Sequence, residues 1–130
     1  MDIEGPLRFL LIGVLGAGGA IARYSLDTVI ARRNNSEFPW GILTINVLGC
    51  FLIGVLMALT AERLAPHPGW RIALGVGFLG AFTTFSAFSY DTVRLMEDGA
   101  TGTAITYVLA SVTAGLLATL AGLSLARLFT

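Results

Sequence analysis

Long apolar runs separated by short polar connectors dominate the pattern along the chain. Three stretches contain no charged residue, namely Trp40 to Ala61, Ile72 to Tyr90 and Ala100 to Ala126. Each comes close to or exceeds the roughly 20 apolar residues that a helix needs to cross a bilayer. A further stretch, Leu7 to Ala31, spans as well if Arg23 and Asp27, which share one helical face, are sheltered from lipid. The pattern predicts membrane helices at about 7–31, 40–62, 70–95 and 102–128.

The connectors between these runs are short and polar, which leaves no room for a second domain. They comprise Arg32 to Phe38, Glu62 to Gly69, and the turn Glu97-Asp98-Gly99. Pro39-Trp40 and Pro68-Gly69-Trp70 open the second and third runs, because proline suits a first helical turn and tryptophan prefers the membrane interface. We therefore predict one transmembrane domain covering residues 1–130.

Composition agrees with a lipid environment. Hydrophobic residues make up 55% of the chain and charged residues 12%, and the mean hydropathy is +0.81. Eight arginines are balanced by eight acids, so no basic surface for nucleic acid is expected. Cys50 is the single cysteine, which excludes an intramolecular disulfide. The acids Asp2 and Glu4 precede Arg8, and we interpret the first run as a retained helix rather than a cleaved signal.

The arginines are distributed almost evenly between the two sides of the predicted membrane domain. Four lie on the side of the termini and three on the other, namely Arg8, Arg63, Arg71 and Arg127 against Arg32, Arg33 and Arg94. The positive-inside rule then gives little orientation. We expect insertion in both orientations and an antiparallel homodimer about a two-fold axis in the membrane plane. A single orientation fixed by one or two arginines is the alternative.

Small residues recur four positions apart within the spans, as at Gly54/Ala58 and Gly77/Ala81. This spacing allows membrane helices to approach closely. Because four short helices enclose little space, a transport path is expected to need a second subunit.

The third run carries several residues that weaken a helix. Gly75, Gly77 and Gly80 precede the adjacent threonines Thr83 and Thr84, and each glycine costs a helix up to about 1 kcal/mol relative to alanine. We expect a break near Gly80 to Thr83. Such a break exposes carbonyls, which membranes tolerate only where the carbonyls are buried in protein or bind an ion. A slightly distorted continuous helix is the alternative.

Apart from Arg23, the candidate functional side chains within the spans are uncharged. Phenylalanines recur along the third run, with hydroxyls between them, at Phe78, Phe82, Phe85, Phe88, Thr84, Ser86 and Ser89. The rings are expected to form a stripe on one helical side, either packing against lipid or core, or presenting their positive edges to an anion. Asn46 offers an amide donor or an interhelical bond. Tyr107 and Ser111, four apart, add two hydroxyls, and Arg23 either attracts anions or reaches the interface.

Groups needed for other functions are missing from the predicted spans. The apolar runs contain no glutamate, lysine or histidine, since Glu62 belongs to the connector, and Asp27 and Asp91 lie toward span ends. A proton-driven pump is expected to bury a titratable group in the membrane. No catalytic set and no metal-ligand spacing can meet within the bilayer, so the chain is not expected to be an enzyme. Neutral donors favour passive anion conduction.

Several strings resemble the Fluc/CrcB family of fluoride channels. The most specific one is Gly77-Phe-Leu-Gly-Ala-Phe-Thr-Thr-Phe-Ser-Ala-Phe-Ser89. Weaker strings are Trp40-Gly41 leading into Asn46-Val-Leu-Gly49, and Gly19-Ala-Ile-Ala-Arg23-Tyr24. The resemblance covers all four predicted spans.

This resemblance implies an all-α membrane protein with four helices per subunit, the third helix broken, that forms an antiparallel homodimer with two fluoride pores. It implies passive fluoride exit from the cytoplasm across a bacterial inner membrane, and hence fluoride resistance. Phe82 and Phe85 match pore phenylalanines, Asn46 matches the pore asparagine and Arg23 matches the vestibule arginine. Further pore positions are matched by Thr84, Ser86, Tyr107 and Ser111. The carbonyls of Gly80 and Thr83 match those that hold a structural Na+ at the dimer centre.

Three positions depart from the pattern of the family. Ile42 stands where threonine is expected, Ala81 replaces a glycine, and Asp91 replaces a glutamate. None removes a donor that we expect to be essential, although Ile42 is expected to narrow or dry one vestibule.

Two other functions compete with the channel. A small multidrug-resistance exporter also has four spans, but it requires a glutamate in the first helix, and Phe9 to Ala22 is uncharged. A non-transporting assembly subunit or membrane anchor needs only the glycine packing, and preserved anion flux in the purified protein would exclude it.

Overall fold

The structure of the chain is a computed structural model that describes residues 5–61 and 68–130. Its described elements are all helical: α1 (Pro6–Arg33), α2 (Trp40–Ala61), α3 (Pro68–Ile72), a π-helical segment (Ala73–Leu79), α4 (Gly80–Phe82), α5 (Phe85–Glu97) and α6 (Thr101–Arg127). Four helical stretches are long and apolar enough to cross a membrane, namely Pro6–Arg33, Trp40–Ala61, Gly69–Glu97 and Thr101–Arg127. The predicted all-helical fold with four spans is confirmed. The predicted connector from Glu62 to His67, with Arg63, and the N-terminal Asp2 and Glu4 lie outside the described residues.

Local sequence explains where the first helices begin and end. Pro6 occupies the first turn of α1, where its missing N–H removes no helical bond. Arg32 and Arg33 lie in the last turn and interact favourably with the negative end of the helix dipole. Asn34 then turns to extended backbone, which ends α1 before α2 starts beside Pro39.

The third span changes backbone geometry along its length. A seven-residue π-helical segment follows α3 and leads directly into the single turn of α4. Thr83 and Thr84 then take extended dihedrals (φ −82°, ψ 158° and φ −151°, ψ 118°) before α5 begins. We refer to Thr83 and Thr84 as the extended step. Thr84 caps α5, because its hydroxyl accepts a hydrogen bond from the Ala87 N–H at 3.2 Å.

Glycines set the distance between α2 and α6. A Cβ on Gly54 would collide with the carbonyl oxygen of Thr119, and a Cβ on Gly122 would collide with that of Phe51. The Thr119 hydroxyl also donates to the Cys50 carbonyl at 3.2 Å. Backbone-to-backbone contact of this kind is how membrane helices associate when lipid removes the hydrophobic drive.

A similar contact places α1 against the third span. A Cβ on Gly19 would collide with the Phe78 carbonyl oxygen, and one on Gly77 would lie 3.0 Å from the Ile12 carbonyl oxygen. Six of the buried side chains among the described residues form a small cluster, namely Ile42, Ile45, Phe82, Leu95, Ala104 and Tyr107. Many large apolar side chains remain exposed on the four spans, as expected of a surface that faces lipid or a further subunit.

The contact of Gly122 with Phe51 predicts a steric effect on stability. Gly122→Ala should lower the free energy of unfolding by about 1–3 kcal/mol, because the added methyl group forces α2 and α6 apart. The measurement is equilibrium unfolding in detergent. Gly102→Ala is the matched control, since a Cβ at Gly102 meets nothing within 4 Å. Equal stability of the two variants would contradict the close contact.

Candidate functional site

Asn46 on α2 binds both backbone groups of Thr84 in the extended step. The Thr84 N–H donates to the Asn46 side-chain oxygen at 2.9 Å, and the Asn46 amide nitrogen donates to the Thr84 carbonyl at 3.1 Å. The Asn46 side chain thereby replaces the two hydrogen bonds that the N–H and the carbonyl of Thr84 would make inside a continuous helix. One N–H of the Asn46 amide remains for another acceptor.

This pairing also changes which carbonyls have helical donors. In a continuous α-helix the Thr84 N–H would donate to Gly80 and the Ala87 N–H would donate to Thr83. Here the Thr84 N–H donates to Asn46, and the Ala87 N–H donates to the Thr84 hydroxyl. The carbonyls of Gly80 and Thr83 therefore lose their usual helical donors, within about one turn of each other.

Arg23 on α1 contributes to the same region. Its Nε–H donates to the carbonyl of Ala81 at 3.1 Å, so the arginine satisfies a carbonyl between Gly80 and the extended step. Arg23 is half-buried. Its side chain thus binds the third span rather than pairing with Asp27, which lies against Gly41 at the start of α2.

A groove of about 380 Å³ opens along α2, the third span and α6, and we call it the central groove. Its lining comprises Asn46, Gly49, Cys50, Ile53, Gly75, Leu79, Gly80, Thr83, Thr84, Phe85, Phe88, Ser111 and Val112. Among these lining residues there is no acidic or basic side chain. The groove presents hydroxyls, an amide and aromatic rings, which are neutral hydrogen-bond donors and positive ring edges.

The phenylalanines of the third span form two pairs rather than one stripe. Phe78 and Phe82 stack with ring centroids 6.0 Å apart, and Phe85 and Phe88 lie 5.6 Å apart. Phe82 is 4% exposed, whereas Phe85 is 78% exposed. The expectation of a single stripe is wrong, because the extended step breaks the helical spacing between Phe82 and Phe85.

Phe88 joins Phe85 in the lining of the central groove, while Phe82 belongs to the buried cluster. Phe88 was expected in the stripe of rings but not among the site residues. Its three-residue spacing from Phe85 was the signal that could have identified it, since both rings lie on α5, beyond the step.

Tyr107 and Ser111 of α6 carry two buried hydroxyls that have no hydrogen-bond partner among the described residues. Ser111 lines the central groove. The Tyr107 side chain is 0% exposed, and its ring packs against Phe88 with centroids 5.2 Å apart. A buried hydroxyl without a hydrogen-bond partner lowers the free energy of unfolding by about 1–3 kcal/mol. A polar group or ion beside Tyr107 and Ser111 would therefore be stabilising.

The structure brings most of the predicted site residues together. The central groove contains Asn46, Gly80, Thr83, Thr84, Phe85 and Ser111. The exposed Ser86 lies just outside the lining, with its hydroxyl 3.2 Å from that of Thr84. Arg23, Phe82 and Tyr107 also lie outside it and contact its walls or their backbone.

The three departures from the family pattern lie in different places. Ile42 is 6% exposed in the buried cluster, so its side chain does not line the groove. Ala81 supplies the carbonyl that Arg23 binds. Asp91 lines a separate pocket of about 150 Å³ together with Asp27 and Arg94, near the connector between α1 and α2.

These features define a class of protein: a small polytopic helical membrane protein whose third span is held by side chains at a non-helical step beside a neutral polar groove. Residues 10–123 match the family model described as CrcB-like protein, Camphor Resistance (CrcB). The chain belongs to this family.

Named relatives cover nearly the whole chain. A protein of Solibacter usitatus named fluoride-specific ion channel FluC is 47% identical over 93% of this chain and 99% of its own length. Relatives of the same name from Geobacter sulfurreducens and Rhizobium meliloti are 46% and 43% identical. They cover 91% and 92% of this chain and 95% and 96% of their own length.

The bonds of Asn46 predict that this residue matters for folding as well as for the groove. Asn46→Leu should lower the free energy of unfolding by about 1–3 kcal/mol, because the N–H and C=O of Thr84 lose their partners. Thermal and chemical unfolding in detergent measure the loss. Ser111→Ala is the matched control, since it removes a groove hydroxyl that makes no hydrogen bond to the described residues. If Asn46→Leu proves as stable as Ser111→Ala, the role of Asn46 in holding the step is refuted.

Proposed function

We propose that the protein is a passive fluoride-selective channel that lets fluoride leave the cytoplasm across the bacterial inner membrane. Membership of the family and the names of the relatives support this function. The observation that carries it in this chain is the central groove, whose lining presents neutral donors and ring edges and no acidic or basic side chain. The protein is a channel and not an enzyme, and its biological effect is fluoride resistance.

The conducting unit we propose is an antiparallel homodimer with two pores. The central groove is open on the surface of one protomer, and Phe85 at its edge is 78% exposed. A second copy facing this groove would close it into a path. The even distribution of arginines supports opposite orientations of the two copies.

Within each pore, fluoride exchanges its water shell for protein donors. The second N–H of Asn46 and the hydroxyls of Thr84 and Ser86 bind the anion at the level of the extended step, and Phe85 and Phe88 offer ring edges. Selectivity then depends on pore width and on the number of donors. Tyr107 and Ser111 continue the row of donors along α6.

Two predicted residues take supporting roles in this proposal. Phe82 is buried within the protomer, so its ring holds the position of the step rather than contacting the ion. Arg23 places a positive charge beside Ala81, where it raises the local concentration of anions at the entrance.

We also propose that the extended step is a functional break of the third helix that holds a structural Na+ between the two copies. The carbonyls of Gly80 and Thr83 fit this ion, because their usual N–H donors are bonded elsewhere and both residues line the open groove. Hard cations prefer such oxygen ligands. A bound Na+ would balance the partial negative charge of these carbonyls at the subunit boundary.

The competing functions are less well supported. A drug exporter that couples to protons needs a carboxylate in its path, and the lining of the central groove contains none. An assembly subunit needs no row of hydrogen-bond donors, and this function does not account for the unpartnered buried hydroxyls of Tyr107 and Ser111.

Fluoride efflux from liposomes tests the channel directly. The purified protein should release fluoride rapidly and chloride far more slowly, as read by ion-selective electrodes. Phe85→Ile and Phe88→Ile should each lower the fluoride rate by at least about tenfold, a loss that corresponds to about 1.4 kcal/mol of barrier. Phe82→Leu is the control for a buried ring. It should lower the free energy of unfolding and have a smaller effect on the fluoride rate than Phe85→Ile or Phe88→Ile.

A folded dimer that carries no fluoride would reject the channel and favour the assembly subunit. Flux that requires a proton gradient would instead favour the exporter.

Removal of sodium tests the ion site. Replacing Na+ by N-methyl-D-glucamine at equal ionic strength should lower both fluoride efflux and the thermal midpoint of the dimer, because uncompensated carbonyls would then meet at the subunit boundary. Titration of Na+ should restore both quantities with the same midpoint. Identical stability and flux in the two cations would contradict the site.

A further inference from the structure

A second groove lies between α2 and the third span, near the end where α3 begins, and we call it the outer groove. It has a volume of about 530 Å³ and is lined by Ile53, Met57, Arg71, Ile72, Gly75 and Val76. Five of these six residues are apolar or lack a side chain. The absent side chain of Gly75 leaves space beside Ile53, Leu56 and Met57, whose atoms lie 3.6–3.7 Å from where a Cβ would stand.

Arg71 is the one charged residue in the lining of the outer groove. Its side chain is exposed, and its Nε–H donates to the Met57 sulfur at 3.0 Å. A thioether is a weak acceptor, and no carboxylate of the described residues pairs with this guanidinium. Within the described residues, the terminal N–H groups of Arg71 thus have no acceptor and can bind an anionic ligand.

The position of Arg71 indicates the depth of this charge in the membrane. Trp70, the preceding residue, is 41% exposed and lies at the start of the span that runs from Gly69 to Glu97. Exposed tryptophans at span ends lie at the level of the lipid headgroups. Residues 71–76 then lead from this level into the hydrocarbon-spanning part of the helix. The groove thus has a cationic mouth at headgroup level and an apolar floor below it.

We propose that the outer groove binds an anionic phospholipid, with its phosphate on the Arg71 guanidinium and an acyl chain against Ile72, Gly75 and Val76. Guanidinium and phosphate pair in a bidentate manner, and basic pockets between membrane helices select anionic headgroups. A free phosphate would use the arginine but not the apolar floor. A second copy of the chain would have to bring a carboxylate to Arg71.

The position of the outer groove gives the lipid a structural consequence. Ile53 and Gly75 line both the outer and the central groove. A lipid in the outer groove would therefore support the π-helical segment where Gly75 faces α2, close to the residues that lead into α4. This inference does not depend on fluoride conduction, and its test measures lipid alone.

Native mass spectrometry of the purified protein measures the binding, with phosphatidylglycerol and phosphatidylcholine added separately. The wild-type chain should retain phosphatidylglycerol more strongly, and Arg71→Gln should weaken its binding by about fivefold. Arg71→Lys should restore part of the affinity, because the charge remains while the bidentate geometry is lost. Arg127→Gln is the matched control, since it removes the same charge at the same membrane end and should change binding less than twofold.

Three outcomes would overturn the proposal. Equal losses in Arg71→Gln and Arg127→Gln would mean that the lipid responds to diffuse charge rather than to this groove. Displacement of the lipid by millimolar inorganic phosphate would assign the site to a free anion. Conversion of the dimer to monomers by Arg71→Gln, with unchanged lipid per protomer, would assign the groove to a second copy of the chain.

Discussion

The interaction on which the rest of the site depends is the satisfaction of backbone polar groups at the extended step. Inside a bilayer, a backbone N–H or carbonyl without a partner costs several kcal/mol, so a non-helical residue there requires substitutes for helical bonds. Asn46 supplies two of them to Thr84, and Arg23 supplies one to Ala81. The Thr84 hydroxyl caps α5. The carbonyls of Gly80 and Thr83 receive no such substitute, and they are the ones for which we propose an ion.

Close packing at glycines makes these bonds possible. Asn46 reaches Thr84 because α2 and the third span approach closely at Gly49, where a Cβ would collide with the Thr83 side chain. Arg23 reaches Ala81 because α1 contacts the π-helical segment at Gly19. Small residues in a membrane protein therefore do more than hold helices together: they set the distances over which side chains can replace backbone donors.

The lining of the central groove carries no acidic or basic side chain, and apart from Arg23 the charged groups of the described spans lie toward the helix ends. Asp27, Asp91 and Arg94 line the pocket near the start of α2, and Arg71 lies at the opposite end of the third span. A fixed charge within the groove would bind one species of ion too tightly or repel it, whereas neutral donors allow an ion to enter and leave. The charged ends remain available for entry of anions and for contact with lipid headgroups.

The sequence by itself determined three of the four spans, because uncharged apolar runs of this length are typical of membrane helices. It left the first span dependent on shelter for Arg23 and Asp27. It also determined the family through the string from Gly77 to Ser89. Which rings face the groove was decided only by the tertiary structure, since the extended step rotates α5 and buries Phe82 while exposing Phe85. Likewise, no local pattern relates Asn46 to Thr84 or Arg23 to Ala81, which are 38 and 58 positions apart. Those bonds depend on how closely three helices pack, and that distance is a property of the folded chain.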